Sequence, residues 1–206
     1  MTSWDERFRT GSYPSDPDPA PVLRDYVETF PDGRALDVAT GTGRNAVFLA
    51  ERGYEVDGLD RSREGLRIAR RNATRRGVDA RCNWIQADAT AFEYPADRYD
   101  VIAISFFRPF GRLPDIKAAL APGGVLFYHH HLRSSDPVDA GPGTDRYRFA
   151  SNELLRACLD LTVLYYEETT DPDGDRSAAH ATVIARNSSG PEQTYPRTPR
   201  SRGRNG

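Results

Sequence analysis

The chain has 206 residues, of which 38% are hydrophobic and 28% are charged, and its formal net charge is −2. This length accommodates one α/β domain with a real core, but it is short for a dinucleotide-binding domain joined to a separate substrate domain. The near balance of charge gives no overall attraction to nucleic acid or to an anionic membrane.

Membrane and metal roles find little support in the sequence. No apolar run approaches the ~20 residues that cross a bilayer, and the N-terminus lacks the apolar segment of a signal peptide, so we expect a cytoplasmic location. Cys82 and Cys158 are the only two cysteines and lie far apart. We therefore expect neither a disulfide framework nor a metal site.

The first twenty residues form a segment outside the predicted core. A polar start containing Trp4 and Phe8 is followed by YPSDPDPAP, whose prolines forbid a regular helix or a central strand. Apolar residues at helical spacing then predict a short amphipathic helix over 21–30.

From Arg34 onward the hydrophobic period alternates between that of a strand and that of a helix. Strands are predicted over 35–39, 54–60, 80–88, 99–107 and 125–132, and helices over 43–53, 62–77 and 113–121. Strands that alternate with helices indicate a mainly parallel sheet with helices on both faces and right-handed crossovers.

The pattern changes after the fifth strand and a loop rich in turn residues. A helix over 151–160 leads into a strand over 161–170, the turn DPDGDRS and a strand over 178–186. Two strands joined by a short Asp, Gly and Pro turn predict an antiparallel hairpin at one edge of the sheet. The predicted fold class is α/β, a Rossmann-like doubly wound sheet of seven strands over 21–186, followed by a disordered tail over 187–206.

The stretch ALDVATGTGRNA runs from a strand through a glycine turn into a helix, which is how a nucleotide-binding βαβ unit begins. Gly41, Gly43 and Ala46 fit the G-x-G-x-x-G/A pattern, and Asp60 lies close to the position of a ribose-binding acid. A nicotinamide cofactor is therefore one hypothesis. Against it, Asp37 interrupts the strand before the first glycine, and no segment offers a Tyr-x-x-x-Lys pair.

These features together resemble the class I S-adenosylmethionine-dependent methyltransferases, whose doubly wound sheet has a seventh strand inserted antiparallel. The acid and glycine turn appear as LDVATGTG, the second strand closes as VDGLD, and QADAT, YDVIAISFF and LAPGGVLFY match later motifs. The segments WDERFRTGSYP and LLRACLDLTVLYYEETTDPDGDRSAAHATVIAR are similar to small-molecule methyltransferases of the tellurite-resistance and thiopurine type. The resemblance extends from Trp4 to Arg186.

The resemblance implies S-adenosylmethionine as the cofactor, bound at the strand ends. Asp60 would accept from the ribose hydroxyls, Asp88 from the adenine amino group, and Asp37 would face the ammonium group or an ordered water. Residues 1–20 would form a lid that includes Tyr13. The residues expected at the cofactor are Asp37, Ala39, Gly41, Gly43, Asn45, Asp60, Arg61, Asp88, Ala89, Ser105 and, reaching the cofactor carboxylate, Arg9.

The acceptor pocket is predicted where the fourth and fifth strands end. Phe106 and Phe107 follow the fourth strand, at the edge where open α/β sheets bind ligands, although two phenylalanines there also suit the core. His129 could take a proton from an acceptor. On a strand, His129 and His131 share one face and His130 points to the other, so the three histidines do not converge on a metal.

The expected function is methyl transfer to a small-molecule acceptor by a monomer or homodimer, with neither nucleic acid nor a membrane as partner. Two alternatives stay open: an NAD(P)-dependent oxidoreductase that uses the same glycine turn, and a protein that binds S-adenosylmethionine without catalysis. The stretch REGLRIARRNATRR favours a solvated helix face, because no aromatic residue is interleaved with its arginines as RNA binding would favour.

Overall fold

The computed structural model describes residues 3–135, 138, 141–171 and 177–188. Its seven-stranded sheet has the strand order β3-β2-β1-β4-β5-β7-β6. The strands are β1 Arg34–Val38, β2 Glu55–Asp60, β3 Cys82–Gln86, β4 Tyr99–Ser105, β5 Leu120–His131, β6 Thr162–Asp171 and β7 Ala178–Arg186. Strands β1 to β5 pair in parallel, whereas β7 is antiparallel to both β5 and β6. The predicted fold class, including the antiparallel edge hairpin, is confirmed.

The helices of the described ranges are α1 Trp4–Arg9, α2 Pro21–Tyr26, α3 Arg44–Glu51, α4 Arg63–Arg75, α5 Leu113–Ala118 and α6 Glu153–Ala157. Helix α1 was not predicted from the sequence. Strand β5 begins earlier than predicted, because Leu120 pairs with Tyr99 before the register shifts so that Val125 pairs with Val101. A bulge in β5 thus accommodates the Pro-Gly-Gly turn within the strand.

Both faces of the sheet are covered, and β4 illustrates how the chain achieves this. Val101 and Ala103 point into one apolar cluster, which contains Leu49 of α3. Ile102 and Ile104 point into a second cluster on the other face, which also contains residues of α5 and α6. This burial on both faces explains why β4 reads as a nearly continuous apolar run rather than an alternating one.

The strand order places a topological switch point between β1 and β4, because β1 connects outward to β2 while β4 extends the sheet in the opposite direction. In open α/β sheets the carboxyl ends of the strands at such a point form a crevice that binds ligands. The glycine turn after β1 and the phenylalanine pair after β4 both lie at this edge.

Two of the predicted segments fall partly outside the described residues. The centre of the hairpin turn, 172–176, and the tail from 189 onward are not described. Asn187, the first residue of the predicted tail, donates its backbone N–H to the Gly124 carbonyl at 2.8 Å, so the contact with β5 continues past Arg186. No helix within the described ranges is both long and apolar enough to span a membrane.

Candidate cofactor and acceptor site

The turn between β1 and α3 is built from residues in the left-handed backbone region. Ala39, Gly41 and Gly43 have φ values of 57°, 57° and 84°. A Cβ atom on Gly41 would lie 3.4 Å from the Phe8 ring, whereas one on Gly43 would lie 2.9 Å from the Cβ of Ala69 in α4. Gly43 is therefore required for the close packing of α3 on α4, and Gly41 faces the N-terminal segment.

Asp37 is buried in β1 and holds the glycine turn in place. Its Oδ2 atom accepts hydrogen bonds from Thr40 Oγ1 at 2.5 Å and from the Ala46 N–H at 3.1 Å. Burial raises the pKa of Asp37 to about 7, although these hydrogen bonds oppose the shift. The side chain therefore changes charge near neutral pH.

Asp60 closes β2 and connects it to the glycine turn. Its Oδ2 atom accepts from the Gly41 N–H at 2.8 Å, and its Oδ1 atom accepts from the Ser62 N–H at 2.7 Å. Burial raises the pKa of Asp60, and the two backbone hydrogen bonds oppose that shift. Each carboxylate oxygen keeps acceptor capacity for one more donor, such as a hydroxyl group.

Asp88 lies beyond the end of β3, next to β2 in the sheet. Its Oδ1 atom accepts from the backbone N–H and the hydroxyl of Thr90 at 2.8 and 2.7 Å, and these hydrogen bonds lower the pKa of Asp88. Ala89 is buried beside it. The exposed Arg61 lowers the pKa of both Asp60 and Asp88 through its charge, so the predicted residues at the ends of β2 and β3 lie together.

Asn45 and Ser105 join separate elements. The Asn45 side chain, 1% exposed, donates to Ser105 Oγ at 2.9 Å and accepts from the Ala20 N–H at 3.3 Å. These contacts tie α3 to the end of β4 and to the start of α2. Arg9 pairs with Glu6 at 2.6 Å and its side chain is 61% exposed, so its predicted contact with the cofactor carboxylate stays a prediction.

The N-terminal segment packs against the glycine turn. The rings of Trp4, Phe8 and Tyr13 contact one another, with centroids 5.4 to 6.2 Å apart. Asp5 accepts hydrogen bonds from Ser62 Oγ at 2.5 Å and from the Glu64 N–H at 3.0 Å, which connects α1 to the start of α4. The segment is therefore positioned as the predicted lid requires, and its role as a lid stays a prediction.

An aromatic and imidazole cluster occupies the carboxyl edge of β4 and β5. Phe106, with φ of 55°, places its ring 5.0 Å from His129 and 4.7 Å from His131. His180 of β7 joins them, with its ring 4.6 Å from that of His129. Phe107 is separate: it packs on the core, and its carbonyl accepts from the Tyr128 hydroxyl.

His129 and His131 of this cluster are neutral near pH 7. Burial lowers the pKa of His129 well below its usual value and that of His131 to about 3. His130 lies on the opposite face, as strand geometry predicted, where its Nε2 donates to the Tyr147 carbonyl at 2.8 Å. Within the described residues, no group of three or more His, Cys, Asp or Glu side chains is arranged to hold a metal ion.

The sequence comparisons agree with this geometry. Residues 35–124, which run from β1 into β5, match the model of a family described as a methyltransferase domain. The match covers less than half of the 206 residues, so it is a similarity to this family over the amino half of the sheet. The matched residues include the glycine turn and the acids at the ends of β1, β2 and β3.

The curated relatives differ in the length that they share with this chain. A demethylmenaquinone methyltransferase of Thermus thermophilus is 44% identical over 100 residues, which is 45% of this chain and 44% of that protein. A probable thiol methyltransferase of Arabidopsis thaliana is 28% identical over 168 residues, 77% of this chain and 72% of that one. The chain thus spans less than half of the Thermus relative.

A solved structure shares the fold of this chain. The crystal structure of TehB from Haemophilus influenzae matches with a TM-score of 0.68 at 21% identity, over 89% of this chain and 66% of that chain. At this level of identity the likeness concerns the fold. The family match and the named relatives support S-adenosylmethionine as the cofactor of the site at these strand ends.

Proposed function

We propose that the protein transfers a methyl group from S-adenosylmethionine to a small-molecule acceptor. The observation that carries this proposal is the position of Asp60. Its carboxylate bridges the Gly41 and Ser62 N–H groups at the switch point of the sheet, inside a matched methyltransferase domain. The two hydroxyl groups of a ribose can each donate a hydrogen bond, and each carboxylate oxygen of Asp60 can accept one.

The remaining cofactor contacts follow from the same strand ends. The Oδ2 atom of Asp88 is available to the adenine amino group, because its Oδ1 atom serves Thr90. Asp37 in its ionised form suits the ammonium group. The Phe8 ring lies against Gly41 and contacts Trp4 and Tyr13, so these rings would help to exclude water from a cofactor bound at the turn.

We place the acceptor beside Phe106 and His129. An aromatic face next to a sulfonium group is favourable through a cation–π interaction. Burial holds the pKa of His129 well below its usual value, so we give this side chain a lining role rather than the proton-accepting role that the sequence suggested. The bound cofactor supplies an activated methyl group with a neutral thioether as leaving group, so the chain mainly orients the acceptor for in-line attack. A soft acceptor of the kind used in the tellurite-resistance and thiopurine group fits a site without a strong base.

Label transfer tests the proposal. The protein is incubated with methyl-labelled S-adenosylmethionine and either thiols, hydroquinones, amines or a small-molecule cell extract, and labelled products are separated. We expect a labelled low-mass product, reduced about tenfold in Asp60→Asn because a charge-assisted hydrogen bond is lost. Asp32→Asn, an exposed acid before β1, should retain the activity.

A binding module without catalysis would give a different result. The protein would bind the labelled cofactor, yet no label would move to any acceptor fraction above the protein-free control. That result would overturn the transferase proposal while leaving the cofactor assignment intact.

A further inference from the structure

Arg44, the first residue of α3, holds a partly buried guanidinium group directly after the glycine turn. Its Nε atom is buried and has no hydrogen-bond partner. Within the described part of the chain it makes no ion pair, whereas Arg34 pairs with Asp57 and Arg67 with Glu64. A buried donor without an acceptor lowers stability by about 1–3 kcal/mol. The unpartnered Nε–H of Arg44 therefore points to a ligand that supplies the acceptor.

The surroundings of Arg44 compensate its charge only in part. Its guanidinium carbon lies 5.7 Å from the centroid of the Phe106 ring. The titratable groups that face it are Tyr13, Asp18, Asp37 and His129. Asp37 already accepts two hydrogen bonds and is only partly ionised at neutral pH, and His129 is neutral, so neither serves as a full counter-charge. Asp18 is exposed to solvent and acts on Arg44 through its charge without forming an ion pair with it.

The backbone around Arg44 favours an anion as well. Gly43, the N-cap of α3, offers no side-chain cap, and the first turn of the helix contains no acidic residue. Asp37 accepts from the Ala46 N–H of this turn but is only partly ionised at neutral pH, so the partial positive charge of the helix N-terminus is only partly neutralised. The predicted carboxylate ligand, Arg9, is engaged with Glu6 and largely exposed.

We infer that Arg44, rather than Arg9, binds the α-carboxylate of the methionine part of the cofactor. The carboxylate accepts from the Nε–H of Arg44, while the Phe106 ring supports the guanidinium from one side. This inference rests on the proposed function, because it needs the cofactor at the glycine turn. It adds a cofactor-binding residue that the motif analysis left out, and it places that residue between the cofactor and the proposed acceptor pocket.

Two ligands that differ in the carboxylate test this assignment. S-adenosylhomocysteine carries the amino-acid end, and 5′-methylthioadenosine has the same nucleoside and thioether without it. We expect Arg44→Gln to weaken S-adenosylhomocysteine about tenfold, as for the loss of one charge-assisted hydrogen bond, and to change the affinity for 5′-methylthioadenosine less than about twofold. Arg9→Gln is the matched control and should change neither by more than about twofold.

Three results would overturn the assignment. They are equal weakening of both ligands by Arg44→Gln, an unchanged affinity for S-adenosylhomocysteine, or a selective loss in Arg9→Gln alone. If the unmodified protein bound neither ligand, the proposed function itself would fail. Should Arg44→Gln not fold, the Arg44 Nε–H resonance of the unmodified protein serves instead: it should shift on addition of S-adenosylhomocysteine and not of 5′-methylthioadenosine.

Discussion

Asp37 and Asp60 are both buried acids at strand ends, but they are bound differently. Asp37 accepts both of its hydrogen bonds, from Thr40 and Ala46, on the same carboxylate oxygen. Asp60 accepts one hydrogen bond on each of its two carboxylate oxygens. Burial raises the pKa of Asp37 to about 7. In the free protein, the contribution of this group to stability is largest below the ordinary Asp pKa near 3.8 and is lost as the pH rises towards 7.

Cofactor binding should therefore depend on pH through Asp37. An ammonium group next to it favours the ionised carboxylate, so binding releases a proton and the affinity for S-adenosylhomocysteine should rise from pH 6 to pH 8. Calorimetry in buffers of different ionisation enthalpy measures both the affinity and the proton release. Asp37→Asn should flatten the profile, and an equal pH slope in this variant would contradict the role given to Asp37.

Sequence motifs predicted the acids of the site but not all of its residues. Asp60 and Asp88 are recognisable because they follow apolar strands. Arg44 is not, because its lack of a counter-charge depends on what Asp37 and Phe106 do in three dimensions. His180 joins the imidazole cluster only through the antiparallel register that pairs it with His131, and no local pattern encodes that register.

At the scale of elements, the N-terminal segment is the part that the sequence described least well. Helix α1 has only six residues, which is too few for a helical hydrophobic period to show in the sequence. It is held instead by contacts with residues that lie far away in the sequence. Asp5 accepts hydrogen bonds from Ser62 and Glu64 at the start of α4. The arginines of α4 behave as expected of a solvated face, since Arg70 pairs with Asp79 and Arg75 with Asp16.

Removal of the Asp5 carboxylate should loosen the lid. In Asp5→Ala, helix α1 loses roughly 1 kcal/mol of docking energy, and amide hydrogens of residues 4–13 should exchange about fivefold faster. In the unmodified protein, S-adenosylhomocysteine should slow the same exchange. Glu6→Gln on the same helix is the control, because Glu6 pairs with Arg9 at the surface. Equal exchange rates in the two variants would refute the docking role of Asp5.

At the scale of the whole molecule, the alternation of strand and helix periods predicted the sheet, its strand count and the edge hairpin. The bulge that draws the Pro-Gly-Gly turn into β5 was missed, because glycine and proline signal a turn whatever the neighbouring strand does. The sequence also did not predict the polar network that links strands β1, β2, β3 and β4. Asp57 of β2 accepts from Arg34, Asn83 and Tyr99, which lie on three other strands.

Loss of this network should reduce global stability. Asp57→Ala leaves three donors without their shared acceptor, and we expect the free energy of unfolding to fall by about 3 kcal/mol in urea titrations. Glu55→Ala on the same strand removes an exposed ion pair with Arg81 and should change it by less than about 0.5 kcal/mol. Similar losses in both variants would mean that Asp57 is no more important than a surface acid.

The glycine turn and Asp60 form the proposed binding site for an adenosyl cofactor. The most direct test of this site is a calorimetric titration of the purified protein with S-adenosylhomocysteine and with NADH, repeated on Asp60→Asn and on the Asp32→Asn control. The structure predicts one-to-one binding of S-adenosylhomocysteine, weakened in Asp60→Asn alone, and no binding of NADH. Binding of NADH without S-adenosylhomocysteine would contradict the account and make the turn a dinucleotide site.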